Sequence, residues 1–200
     1  SQLTLNINKD KYYLNNNLIA DYNHNTNYSG LITNGTPVNQ VFKDNIADFS
    51  NEFSLLQTFK SSNIIEFYSY INHIAEPENL AITPGLNPQV FNDGNPYSAL
   101  TQRVNVPTWF TNNYLSYKIP SNNITQTYQV GFSLQQQKLS SALTATQFNN
   151  AANLVTDSTQ NNLNWRRQRL YTEARYELPG DKLKVNLTLP LSLQQINYTD

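Results

Sequence analysis

Apolar residues recur at every second position through much of the chain. The clearest run is Leu183, Val185, Leu187, Leu189, Leu191 and Leu193, separated by Lys184, Asn186, Thr188, Pro190 and Ser192. A period of two marks a strand with one face in an apolar medium and the other in water. At about 3.3 Å per residue the stripe covers on the order of 35 Å. That is long for a globular strand and close to what a strand tilted by about 45° needs to cross a bilayer core. The preceding arm, Leu170 to Leu178, joins it through Pro179-Gly180-Asp181-Lys182. With Gly180-Asp181 central in the turn, Glu177 is expected opposite Lys184, Arg175 opposite Asn186 and Glu173 opposite Thr188. Leu178 then meets Leu183, Tyr176 meets Val185 and Ala174 meets Leu187, so both faces sort at once.

The same alternation predicts seven strands before this one. Leu3, Leu5 and Ile7 form the first, and Lys9-Asp10-Lys11 turns it. The second runs from Tyr12 to about Asn23, the third from Ile46 to Phe59, and Lys60-Ser61-Ser62-Asn63 leads to the fourth, Ile64 to Ala75. The fifth is Arg103 to Ile119, bent at Pro107, and Pro120-Ser121-Asn122-Asn123 leads to the sixth, Ile124 to Leu139. The seventh starts near Leu163. Three long polar loops are expected between them, at Asn23–Asp44 (with the turn pair Asn34-Gly35), Glu76–Gln102 and Ser140–Asn162. A short helix is expected at Leu143–Leu154. Pro190 cannot donate a ladder hydrogen bond, so it predicts a bulge or an edge whose partner lies beyond Asp200.

The connections thus alternate short and long, as in outer-membrane barrels with short periplasmic turns and long outer loops. The expected fold is all-β, an antiparallel up-and-down meander of about eight long strands. Counting directions from Lys9-Asp10-Lys11 puts both Ser1 and Asp200 at the outer surface. A complete bacterial barrel begins and ends at the periplasmic side. Residues 1–200 are therefore expected to be one partial barrel domain, an open internal arc of a larger transmembrane β-barrel, and a piece of a longer protein without its plug domain.

Composition agrees with this and closes other routes. Charged residues are 14% of the chain, against about 25% in soluble domains, and Asn, Gln, Ser, Thr and Tyr replace them. The net charge of −1 gives no bulk attraction to nucleic acid, and the absence of Cys removes disulfides and thiolate metal ligands. No window reaches the roughly 20 apolar residues of a transmembrane helix.

Several phrases resemble barrel strands of Bacteroidota TonB-dependent receptor-like outer-membrane proteins of the carboxypeptidase-regulatory-like-domain type. They are Phe49-Ser50-Asn51-Glu52-Phe53-Ser54-Leu55-Leu56-Gln57-Thr58-Phe59, the strand ending at Pro77-Glu78-Asn79-Leu80, and the run from Tyr171 to Asp200 with Leu189-Pro190-Leu191 and Tyr198-Thr199-Asp200. The resemblance implies a plugged barrel of about 22 strands in the outer membrane. It also implies energised uptake of a nutrient through a TonB complex that touches parts of the parent protein outside this chain.

The candidate chemistry is sparse. Trp165-Arg166-Arg167-Gln168-Arg169 is the one basic cluster, placed near the outer rim. Its arginines either bind lipopolysaccharide phosphates or alternate into a wet lumen. Glu177 and Lys184 read as a cross-strand ion pair. His24 and His73 lack partners at ligand spacing, so no metal site is expected. With no nucleophile or phosphate-loop motif, the chain is expected to be no enzyme and to carry no cofactor. Tyr12, Tyr22, Phe49, Phe59, Tyr117 and Tyr128 fall toward strand ends, as interfacial girdles require. The expected partners are outer-membrane lipid, lipopolysaccharide and an unidentified nutrient held by the outer loops. The alternative is a secreted, soluble β-rich adhesin or glycan-binding module, with the apolar stripes packed inside a sandwich.

Overall fold

The computed structural model describes residues 1–155, 160–178 and 184–199. Strands make up 78% of the described residues and helix 2%. In chain order they are β1 (Gln2–Lys9), β2 (Tyr12–Thr33), β3 (Thr36–Thr58), β4 (Ile64–Ala75), β5 (Glu78–Thr83), α1 (Pro88–Phe91), β6 (Ala99–Asn105), β7 (Thr108–Ile119), β8 (Thr125–Thr146), β9 (Ala152–Leu154), β10 (Asn161–Leu178) and β11 (Val185–Thr199). All join one antiparallel sheet whose main path is β1-β2-β3-β4-β7-β8-β10-β11. This is the predicted eight-strand meander. No second sheet lies over either face among the described residues.

All three expected long loops contain strand, and the first is nearly all strand. β2 and β3 continue past the apolar stretch to a two-residue turn at Asn34-Gly35, flanked by Thr33 opposite Thr36. Both turn residues have positive φ, 49° and 77°, the type I′ geometry that Asn-Gly favours because its twist matches the strands. The second loop contains β5 and β6, and the third contains the end of β8 and β9. The helix expected at Leu143–Leu154 does not form: those residues complete β8 and supply β9. The one helical turn among the described residues is α1, opened by Pro88.

β5 and β6 extend the columns beneath them. Ala47 faces Ala75 across β3 and β4, and three residues further Asp44 faces Glu78 across β3 and β5. Thr108 faces Gln137, and three residues further Asn105 faces Ser140. β4 with β5, and β6 with β7, are therefore single strands broken in register at Glu76-Pro77 and Val106-Pro107. Proline has no N–H to give the ladder. The neighbours span each break instead: Asn45 N donates to the Pro77 carbonyl (3.3 Å) and Lys138 N to the Pro107 carbonyl (3.2 Å).

The closing hairpin keeps its faces but not its predicted register. Glu177 lies opposite Asn186, Leu178 opposite Val185, Tyr176 opposite Leu187, Ala174 opposite Leu189, Arg175 opposite Thr188 and Glu173 opposite Pro190. Each pair is displaced by two residues from expectation. A slip of two returns every side chain to its own face, so face sorting could not exclude it. Lys184 falls outside the ladder, and Glu177 has no ion pair with it among the described residues. The expected Pro179–Lys182 turn and the Leu183 pairing lie outside the described residues. Pairing runs unbroken through Pro190, and β11 has no strand on its other side among the described residues. β11 is thus an edge strand of the described sheet, and the expected bulge at Pro190 does not form.

Most buried apolar side chains of the chain sit beyond the breaks. Tyr97 is 1% exposed and packs with Leu100 and Ala145, ringed by Ile82, Phe91 and Leu143. The segment between β5 and β6 folds onto this cluster. Tyr97 Oη donates to the Leu86 carbonyl (2.6 Å), Ser98 Oγ to the Thr146 carbonyl (2.7 Å) and Gln147 Nε2 to Asn92 Oδ1 (2.6 Å). Burial pushes the Tyr97 phenol above its ordinary 10.0. The folded segment holds the neutral phenol. Its contribution is full below the ordinary value and is lost as pH rises through the raised one. Cleavage of residues 84–98 by a protease is expected to accelerate above about pH 10. Tyr97→Phe, which cannot ionise, should show no such alkaline acceleration.

Candidate functional site

The pairing sorts side chains into two faces across all eight columns. One carries Leu3, Leu5 and Ile7; Tyr12, Leu14 and Leu18; Phe49, Phe53 and Leu55; Ile65, Phe67 and Ile71; Leu115 and Tyr117; Val130, Phe132 and Leu134; Leu170 and Leu178; and Leu187 to Leu193. Many of these are exposed, Leu193 by 72%. Five of the six aromatics predicted for girdles are on this face, and Phe59 lies just past the end of β3. One aromatic row runs through Phe49, His73 and Trp109, the latter two stacked at 4.2 Å between ring centres. His73 Nδ1 donates to the Thr108 carbonyl (3.1 Å), so it is a packing residue of this row. The other row holds Tyr12, Tyr117 and Tyr128, with Tyr176 edge-on to Tyr128. Trp109 and Tyr117 are eight residues apart on β7, about 27 Å along a strand.

Some of the polar residues between these rows on the apolar face bond to one another, and Thr172 Oγ1 donates to the Gln129 carbonyl (2.9 Å). Asn51 Nδ2 donates to Asn16 Oδ1 (3.0 Å), Ser69 Oγ to Asn113 Oδ1 (2.6 Å), and Asn113 Nδ2 to Thr111 Oγ1 (2.8 Å). Charged residues between the rows are Glu52, Glu66, Arg167, Arg169 and Glu173, and every one is on the opposite, polar face.

That polar face is crowded. Ser116 is only 5% exposed. Tyr68, Tyr114, Gly131 and Tyr171 form one row across β4, β7, β8 and β10. Tyr68 and Tyr114 stack with ring centres 5.0 Å apart. Their hydroxyls donate to Glu52 Oε1 (3.1 Å) and Glu66 Oε1 (3.0 Å). Gly131 has no side chain, so the Tyr171 ring lies over it, and Tyr171 Oη reaches Asn112 Oδ1 (2.9 Å) on β7.

Two depressions flank this row. The first, about 370 Å³, spans β7, β8 and β10 and is lined by Phe110, Asn112, Arg167, Arg169 and Tyr171 together with Ser133 and Gln135. The second, about 440 Å³, carries Glu66, Lys118, Glu173, Arg175 and Glu177 among its walls. There Arg175 Nη2 meets Glu173 Oε1 at 2.8 Å, an ion pair along one strand in place of the expected Glu177–Lys184 pair.

Of the basic cluster, Arg167 and Arg169 point to the polar face with Trp165, while Arg166 takes the apolar-face position in the row of Trp109. Arg167 and Arg169 thus share one face and Arg166 takes the other. His24 lies beyond the aromatic rows, bonded to Asn45 Oδ1. The histidines do not meet. Sequence reasoning missed one acidic group: Asp44, Glu76 and Glu78 bring an oxygen each within 4.8 Å of one another, and Asp44 Oδ1 is buried without a hydrogen-bond partner among the described residues. Hard oxygen donors of this kind suit calcium. Their convergence depends on the in-register break at Glu76-Pro77, which the residue spacing alone does not reveal. No protein-family model, curated protein or solved structure matches the chain.

Proposed function

We propose that the chain is a wall segment of an outer-membrane transport barrel, with its apolar face to lipid and its polar face to a water-filled interior. The observation that carries this is the partition of charge. Between the two aromatic rows the side chains of Glu52, Glu66, Arg167, Arg169 and Glu173 are all on one face, and the other carries no charge there. A soluble sheet with an unpacked apolar face of this size would associate through it. The rows lie about as far apart as the girdles that flank a barrel's apolar band of roughly 25 Å. The Asn and Ser pairs on the apolar face satisfy one another, which hydrocarbon demands because it offers no alternative partner. The crowded polar face and splayed apolar face fit a sheet curled with its polar side inward, an open arc of a larger barrel.

The strand phrases shared with TonB-dependent receptor-like proteins favour uptake of a nutrient, with TonB engaging parts of the parent protein outside these residues. The columns that extend beyond the upper aromatic row, and the segment folded over Tyr97, would stand at the outer surface among lipopolysaccharide. The test is lipid dependence. The chain is expected to be folded and monodisperse only with detergent or lipid, and its apolar-face amides should be protected from exchange in liposomes. A folded monomer in plain buffer would point to the soluble adhesin or glycan-binding reading instead.

A further inference from the structure

We infer that the depression between β7, β8 and β10 is a subsite for an anionic sugar, a pyranose bearing a carboxylate or sulfate. It goes beyond the transport reading and does not depend on it, because only the polar face is involved. Four observations support it. First, no carboxylate lines the depression, yet two guanidinium groups do. Arg167 spends its Nε on Gln194 Oε1 (3.0 Å), which leaves its terminal nitrogens without a protein acceptor among the described residues. Arg169 has no hydrogen bond or ion pair there and rests 5.3 Å over the Tyr171 ring. Two such forks side by side match the oxygens of a single oxyanion.

Second, the walls carry rings. Phe110 and Tyr171 stand on β7 and β10, and the C–H face of a pyranose lies against an aromatic ring while its hydroxyls stay polar. Third, Asn112, Ser133 and Gln135 are neutral donors and acceptors suited to those hydroxyls. Two rings set among polar side chains, in a volume of about 370 Å³, are within the size range of a small-ligand site. Fourth, the site is assembled by the sheet. Gly131 lets Tyr171 lean across to Asn112, which closes the lower end of the depression. A bare phosphate site needs no rings, and a neutral-sugar site needs no unpaired guanidinium groups.

The full chain is held in detergent micelles or, if it proves soluble, in buffer. Trp109→Phe leaves Trp165, two residues from Arg167, as the one fluorescent reporter. Glucuronate and glucose 6-sulfate are titrated against glucose and inorganic sulfate. Saturable binding of at least one anionic sugar, about tenfold or more tighter than glucose and weakened by salt, is expected. Arg167→Gln with Arg169→Gln should weaken it about tenfold or more. Phe110→Ala, which keeps both charges, should weaken the sugar and leave inorganic sulfate unchanged. Should the double variant lose its strand circular dichroism, Arg169→Lys replaces it, since it retains charge but loses the fork and should weaken the sugar severalfold. Glucose binding as tightly as both anionic sugars, no response to any sugar, or unaltered binding in the arginine variants would each overturn the assignment. Equal losses for sugar and sulfate in Phe110→Ala would remove the sugar and leave a simple anion site.

Discussion

Leu170→Arg is expected to destabilise the chain in a lipid bilayer by about 2–4 kcal/mol, the cost of arginine near the midplane on the lipid side of a barrel. Leu170 lies opposite Phe132 and Leu193, midway between the aromatic rows, and is 53% exposed. Its strand has neighbours on both sides, so an arginine there cannot escape around an edge. The same change on a water-facing sheet would stay within about 0.5 kcal/mol, because an exposed leucine loses little when replaced. Gln129→Arg is the matched control. Gln129 sits on the polar face opposite Glu173 and Ser116, where a new cation has water and a carboxylate nearby. Denaturant titration in liposomes compares the two. Equal and small effects would sink the lipid-facing assignment.

Gly131→Ala is expected to cost about 1–3 kcal/mol, and the sign is expected to change with Tyr171. A methyl at this position would come within 2.2 Å of Tyr171 Cζ, 2.4 Å of its Oη and 2.6 Å of Cε2. The ring must swing aside, which breaks its bond to Asn112 and uncovers the strand. In a Tyr171→Ala background that collision is gone. The same Gly131→Ala change should then be neutral or stabilise by about 0.5–1 kcal/mol, since glycine within a strand carries an entropic cost. Equal costs in both backgrounds would mean that the ring and the glycine are not coupled.

The apolar stripes made the all-β meander and its eight columns readable, because a half-buried strand writes its period directly into the side chains. Where the stripe stopped, the reading stopped. Residues 24–33 and 36–45 carry no regular apolar stripe and still pair, since the ladder is made by the backbone and does not require an apolar face. The two-residue error in the last hairpin came from the same source: period two fixes the face of Leu187 but not whether it meets Ala174 or Tyr176. The candidate site was legible only in part. The arginine cluster was visible and its alternation was one of two open readings. The Tyr171, Gly131 and Asn112 set was not visible, because those residues lie on three columns far apart in sequence and meet only through registers that no local pattern fixes.

The breaks at Glu76-Pro77 and Val106-Pro107 stand level with each other in adjacent columns, since Ile74 faces Thr108 below them and Glu78 faces Val104 above. Along that line the two columns share no direct ladder rung, and each is tied only to its outer neighbour. β3 and β8 run unbroken through this level on either side, so the line is a short slit in an otherwise continuous wall, held by the bonds from Asn45 and Lys138 to the two proline carbonyls.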